Sequence, residues 1–313
     1  MIGMRVGEEL PEDGIREGFA WDEYRKLNAM NATTLLWGLN SMQHLKAAID
    51  GTLDRKETPA LAFGKALHCR LLEPSLYKTL YTVAEPCSAR LKSGRRAGEP
   101  CGASGSYTDG SRWYCGTHKT LSSYEPTDVI SATDSASIEA IYRAVRNHKV
   151  VNLIRQHGGY EVTAVAAMRG VKFKIRLDKL ILDGNCPPSI VDLKKTTVGG
   201  AAIQKFERSV DKYNYDVRAA MYVDVIKALT GKLCHFIWVV VEDGFPHGIN
   251  VIHADLDTIR VGRAKYRGLT DDFLRCVEAD DWPGYTNDII PGGLSKWGRR
   301  EYGEMLAGSE FLE

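Results

Sequence analysis

No apolar run in this chain approaches the ~20 residues that a bilayer-spanning helix needs, so a helical membrane protein is excluded and no membrane partner is expected. Neither sign of charge predominates, with 41 Lys and Arg against 40 Asp and Glu. A protein coated in positive charge is thereby excluded. A local basic groove is not, because nucleic-acid binding depends on where charge sits as well as on its total. The opening stretch, MIGMRVGEELPEDG, is charged and broken by Gly and Pro, unlike a secretory signal. A cytoplasmic location is expected. Disulfides are rare there, so the seven cysteines need another explanation. No internal repeat is visible.

What is present suffices for a real core: 44% of the 313 residues are apolar, enough for one large domain or two smaller ones. Residues 1–20 read as a loosely held arm. Asp22 to about Leu53 is helical in pattern, with apolar residues three and four apart at Leu35, Leu39, Met42 and Leu45. A second helix is expected over TPALAFGKALHCRLLEP, started by Thr58-Pro59 and stopped by Pro74. Residues 84–120 are rich in Gly, Ser, Cys and Arg and read as an insertion. Residues 134–157 return to helix. Three strands follow, GYEVTAVAAM, VKFKIRLDKLIL and SIVDLKKTT, parted by turn signals at Arg169-Gly170 and Gly184-Asn185. An amphipathic helix is expected over about 211–229, then strands in CHFIWVVVED and GINVIHADLD, a helix in DTIRVGRAKYRGLTDDFLRCVEA, and an irregular tail. This order predicts a mixed α/β (α+β) fold, a mixed sheet flanked by helices.

The third strand ends on acid, spacer, Lys, Lys. Asp192 and Lys194 are two apart and share a face of the strand, while Lys195 points the other way. Asp178 ends the preceding strand, and the 13 residues between it and Asp192 allow a turn that brings the acids together. Glu161, one strand earlier, can join them. Phosphodiester hydrolysis needs this set: a hard divalent cation takes one or two carboxylates, and a nearby lysine stabilises charge in the transition state. Lys195, Lys205, Arg208, Lys212 and Arg218 cluster just after this strand and are the candidates for a basic DNA-binding lining.

In this order, KIRLDKL, IVDLKKTT and YNYDVRAAMYVD resemble the PD-(D/E)xK nuclease core in its RecB/RecE-type branch, as does the helix GKALHCRLLEP with its spaced Gly, His and Glu-Pro. The tail DDWPGYTNDI…LSKW is similar to the end of RecE-like phage exonucleases. The resemblance covers roughly 30–80 and 135–300. It implies a restriction-endonuclease-like core over 21–83 and 121–300, with a tail at 301–313. It matches His68, Asp178 and Asp192 to ligands of catalytic Mg²⁺ (or Mn²⁺), Lys194 to the catalytic lysine and Glu161 to a further acid. Leu177 stands where the family commonly has proline. Arg218 stands where the helix motif usually has glutamine, with Tyr222 one turn on and on the same face. An arginine there suits bidentate phosphate binding. The resemblance further implies 5′→3′ digestion of linear double-stranded DNA from its ends by a ring-shaped homo-oligomer. The single strands would pass to an annealing partner of the RecT kind in phage recombination within a bacterial host. The alternatives are another PD-(D/E)xK nuclease, endonucleolytic or single-strand-specific, and an inactive scaffold that binds DNA ends.

Within the insertion, Cys87, Cys101, Cys115 and His118 have the composition of a structural zinc site, the last two as Cys-x-x-His. The segment is too short and polar to build its own core, and a metal would supply the missing folding free energy. An iron–sulphur nuclease, with one cysteine before the core and three after, does not fit. Arg90, Lys92, Arg95, Arg96, Arg112 and Lys119 make the insertion basic. Cys69, Cys186, Cys234 and Cys276 lie in mostly apolar settings and are expected to be small buried residues.

Overall fold

The structure is a computed structural model that describes residues 1–53, 58–122, 128–184 and 186–303. In chain order it begins with β1 (Gly14–Arg16), α1 (Trp21–Lys26), α2 (Ala32–Leu35), a 3-10 turn and α3 (Met42–Ile49). Next come α4 (Pro59–Leu72), α5 (Pro74–Leu80), β2 (Thr82–Ala84), β3 (Tyr107–Thr108), β4 (Trp113–Tyr114) and β5 (Val129–Ser131). Then α6 (Ala132–Asn147) and α7 (Lys149–Arg155) lead into β6 (Gly159–Met168), β7 (Val171–Ile181) and β8 (Ser189–Thr196). The chain continues through α8 (Ile203–Tyr213), α9 (Tyr215–Thr230), β9 (His235–Glu242), β10 (Ile249–His253), α10 (Leu256–Ala279) and α11 (Lys296–Glu301). No described helix is long and apolar enough to cross a membrane.

The main sheet has six strands in the order β1-β6-β7-β8-β9-β10. β6, β7 and β8 form an antiparallel meander. The β6–β7 turn, Arg169-Gly170, has positive φ at both residues, the geometry that matches strand twist in a two-residue hairpin. β8 and β9 are parallel, so the chain must cross over between them, and α8 and α9 form that crossover. One face of the sheet packs Ala164, Phe173, Ile175, Ile190 and Phe236 against α9 and α10 through Val217, Met221 and Phe273. The other packs Ile181, Val191, Leu193 and Val241 against α4 and α6 through Leu67, Leu71, Ile138 and Ile141.

Several elements differ from the sequence expectation. The arm at 1–20 is docked: β1 pairs with β6, the Ile2 N–H donates to the Gly170 carbonyl at 2.8 Å, and Lys172 pairs with Asp13. The expected helix over 22–53 is broken, because Met30 donates to and accepts from β7 in a bridge to Phe173. Asn31 and Ser41 then cap fresh helices. The helix expected over 211–229 is divided at Asn214, which is left-handed at φ 50°. The half with one exposed face is α8, whereas α9 buries Val217, Ala219, Ala220, Met221, Val223, Val225 and Ile226. Asn185 and residues 304–313, where a turn residue and most of the tail were expected, lie outside the described residues.

α9 and α10 approach closely at Gly262, where an added methyl would stand 2.0 Å from the Asp216 carbonyl oxygen. Backbone cannot give way as a side-chain tip can. Gly262→Ala should therefore cost about 3 kcal/mol, read as a fall in the denaturant midpoint.

Candidate active site

The pairing of β7 with β8 stops early. Lys179, Leu180 and Ile181 pair with Val191, Ile190 and Ser189, and beyond these the strands diverge. The next step of that register sets Asp178 against Asp192 at the mouth of the fork. A side chain holds the mouth: the Leu193 N–H donates to Asp178 Oδ2 at 2.6 Å. Glu161 comes in from β6. Its flanking residues Tyr160 and Val162 pair with Lys179 and Leu177, so it stands across from Asp178. Its φ of 49° is unusual for a non-glycine residue, and the ladder skips it. His68 arrives from α4, started by the Thr58 side chain, which accepts from the Leu61 N–H at 3.2 Å. Leu67 and Leu71 anchor that helix in the second core.

One ligand atom each from His68, Glu161 and Asp178 lies within 4.8 Å of the others, and His68 Nδ1 is 3.7 Å from Asp178 Oδ2. Two carboxylates and an imidazole converging on one point suit a divalent cation with room for water. The close group expected from the motifs was His68, Asp178 and Asp192. Here the third close member is Glu161, and Asp192 Oδ2 instead accepts from Lys194 Nζ. Lys194 lies against the Tyr215 ring, 5.0 Å from its centre.

The electrostatics follow from crowding acids in a half-buried cleft. Burial, reinforced by Asp178, raises the Glu161 carboxyl to about 7, although Arg176 works against this. Arg176 Nε donates to Glu161 at 2.5 Å and its other arm to the Phe19 carbonyl at 2.7 Å. Burial also raises Asp178; His68 and Lys194 oppose that rise and Asp192 adds to it. Sequence reading missed Arg176. It lies two residues before Asp178 in KIRLD, and strand alternation could have placed it beside the acids.

Arg218 reaches this cleft from α9. Its guanidinium donates to Thr33 Oγ1 at 3.3 Å and has no ion pair among the described residues. Burial opposes its charge, but Tyr222, Asp192, Asp178 and Tyr215 outweigh burial and raise its pKa. Tyr222 lies beside it with its hydroxyl pushed up to about 12 by burial. Lys205, Arg208 and Lys212 are exposed on α8. Their spacing of three and four places them along one helix face. Lys195, expected in the DNA lining, is otherwise engaged: its Nζ donates to Asp243 at 2.6 Å and lies against the Phe63 ring.

The four predicted ligands in residues 84–120 also converge. Single ligand atoms from Cys87, Cys101, Cys115 and His118 all lie within 4.8 Å of one another. His118 Nδ1 is 3.5 Å from Cys87 Sγ and 3.3 Å from Cys115 Sγ, and the Cys101 and Cys115 sulfurs are 3.9 Å apart. Bonds of ~2.3 Å to sulfur and ~2.0 Å to nitrogen around a tetrahedral ion give edges of roughly 3.5–3.8 Å, so the donor set fits such an ion. Burial raises the Cys115 thiol, but hydrogen bonds from the His118 and Thr117 backbone and the His118 ring outweigh it and bring it to about 6. Of the other cysteines, Cys234 and Cys276 are buried, and Cys69 and Cys186 are half-buried.

A mixed six-stranded sheet with acids at a strand fork is the architecture of the PDDEXK-like fold. Residues 31–289 match the family described as "PDDEXK-like domain of unknown function (DUF3799)", and the chain belongs to that family. Among solved structures it is similar to that of a "Putative exonuclease" from Eubacterium rectale, with a TM-score of 0.58 and 14% identity over 94% of this chain and 99% of that one. At that identity the likeness is one of fold. A second structure, SSO0001, is 14% identical over 50% of this chain and 80% of that one, with a TM-score of 0.23, too low to carry an argument. No curated protein matches.

Proposed function

We propose that the chain is a divalent-metal-dependent deoxyribonuclease acting on linear duplex DNA. The observation that carries this reading is the strand fork, where His68, Glu161 and Asp178 meet within 4.8 Å beside the Asp192–Lys194 pair. His68, Glu161 and Asp178, with Asp192 adjoining, would hold Mg²⁺ or Mn²⁺. The cation would supply Lewis acidity at the phosphate. Lys194 keeps a positive charge at the cleft, where negative charge develops on the phosphoryl oxygens. Arg176 fixes Glu161 through one oxygen, and the other accepts no hydrogen bond among the described residues. Arg218, which makes no ion pair among the described residues, is the group best placed to bind a phosphate bidentately, with Tyr222 beside it. Lys205, Arg208 and Lys212 offer a path for the backbone away from the site.

Three thiolates and an imidazole leave no open position on a tetrahedral ion. We therefore assign Cys87, Cys101, Cys115 and His118 to a structural Zn²⁺, since soft sulfur donors select that kind of metal. The 5′→3′ polarity, ring-shaped oligomer, annealing partner and role in phage recombination rest on the motif resemblance alone.

The test is digestion of end-labelled linear duplex with and without Mg²⁺, beside covalently closed circles. Metal-dependent loss of the linear substrate with circles intact is the expected result. Cleaved circles would make the enzyme an endonuclease. No turnover on duplex or single strands would leave only a DNA-binding scaffold.

A further inference from the structure

Residues 84–120 contribute little to the rest of the protein's packing. Their small apolar cluster, Cys87, Ala89, Tyr114 and Cys115, shares no member with either sheet core. The segment is tied to the body through the short parallel pair β2 and β5. Core stability therefore does not explain it.

The surface of this segment is basic. The segment holds six Lys and Arg against three Asp and Glu, a net of +3, so the remainder of a chain whose net is +1 carries −2. All six cations are exposed. Arg96 is neutralised by Glu99 at 2.6 Å, and Arg90 braces the Gly98 carbonyl. Asp109 is occupied by the Ser111 and Arg112 N–H groups and the Tyr114 hydroxyl. Lys92, Arg95, Arg112 and Lys119 remain without an ion pair among the described residues.

The first two of these sit on a built hairpin. The Cys87 N–H donates to the Ala103 carbonyl and Cys101 to Ala89, both at 2.7 Å. Leu91 donates to Glu99 and Gly98 to Leu91, both at 2.9 Å. Lys92 and Arg95 lie in the turn beyond, where Gly94 takes a φ of 85°. The two ligands Cys87 and Cys101 stand at the base, so the ion that fixes them also fixes the arm. No large apolar side chain is exposed among residues 84–120. A protein partner would be expected to find an aromatic or aliphatic anchor. A phosphate backbone needs only charge.

We propose that this metal-held hairpin is a nucleic-acid contact, in which Lys92 and Arg95 at the tip, with Arg112 and Lys119 elsewhere in the same segment, bind backbone phosphates of duplex DNA. The choice of duplex as probe rests on the nuclease reading; the charge and the geometry do not.

The test is the triple variant Lys92→Ala, Arg95→Ala, Lys119→Ala, measured by fluorescence anisotropy on a linear duplex over a range of salt without added Mg²⁺ or Mn²⁺. Zinc content and melting temperature serve as controls, and a Lys92→Gln, Arg95→Gln double variant stands in if the triple loses zinc. Affinity should fall about 10-fold or more, and the slope of log K against log salt should shrink by ~0.9 for each lost contact. Unchanged affinity and slope in a variant that keeps its zinc would overturn the proposal. Wild-type protein that binds duplex but never cleaves it would remove the nuclease reading and leave the hairpin contact standing. Wild-type protein that does not bind duplex at all would remove both.

Discussion

Lys194→Ala and Asp178→Asn should each lower cleavage of linear duplex by about 10³-fold or more, with duplex binding largely kept. Lys194 and Asp192 form one buried pair at the fork, so loss of Lys194 leaves an acid unneutralised as well as removing positive charge from the cleft. Asp178 does two jobs. It accepts from the Leu193 N–H at 2.6 Å, and its carboxylate lies within 4.8 Å of ligand atoms of both His68 and Glu161. Asparagine keeps the shape and can keep the Leu193 bond, but it is a poor ligand for a hard cation. Three carboxylates crowd this cleft, so removing one charge relieves repulsion. Asp178→Asn should accordingly melt no lower than the wild type, and it should melt higher in EDTA, the pattern of a site that holds strain for function. A variant that loses activity and melts several degrees lower would mean that Asp178 is structural. A variant that retains full activity would end the assignment of the fork as the active centre.

How much of this was legible in the sequence depends on the range of each interaction. The β6–β7–β8 meander could be read because its turns are local: the glycine of Arg169-Gly170 marks the β6–β7 turn, where both residues take positive φ. The Asp192–Lys194 pair is also local, two residues apart on one strand. The third member of the ligand group was less legible. Whether Glu161 or Asp192 meets His68 depends on where β7 and β8 part, and on the left-handed residue at 161, which no alternation rule anticipates. The breaks at 27–31 and at Asn214 were missed for a related reason. Helical periodicity continues through both points, while a bridge from Met30 to β7 and a positive φ at Asn214 override it. Lys195 illustrates the same limit: its charge was plain, but its partner Asp243 lies 48 residues on, beyond the next strand.

Cys115→Ser should release the zinc and loosen residues 84–120 while leaving the sheet core folded. The expected size is large because the segment has almost nothing else to hold it. Its buried cluster is four residues with Cys101 and Tyr107 against it, and two of those four belong to the candidate metal site. A structural zinc with this donor set contributes on the order of 10–16 kcal/mol in apparent binding free energy at neutral pH, far more than such a cluster can. Cys115 is the central choice, since its sulfur lies 3.3 Å from His118 Nδ1 and 3.9 Å from Cys101 Sγ. Metal analysis of the wild type should find one Zn²⁺ per chain that survives mild EDTA. Activity should be lost on the same treatment and restored by Mg²⁺ alone, because the two sites differ in donor chemistry. Limited proteolysis of Cys115→Ser should cut within 84–120, and the remaining fragments should stay associated through the sheet. The β2–β5 pair explains why the damage should stop there: Thr82, Val83 and Ala84 are held by Val129, Ile130 and Ser131, and Ile130 is anchored in the second core. If the variant unfolds as a whole, the segment is part of the core and the boundary at β2 and β5 is misplaced. If wild-type protein carries no zinc, or iron in its place, the assignment of the metal fails although the four ligands still converge.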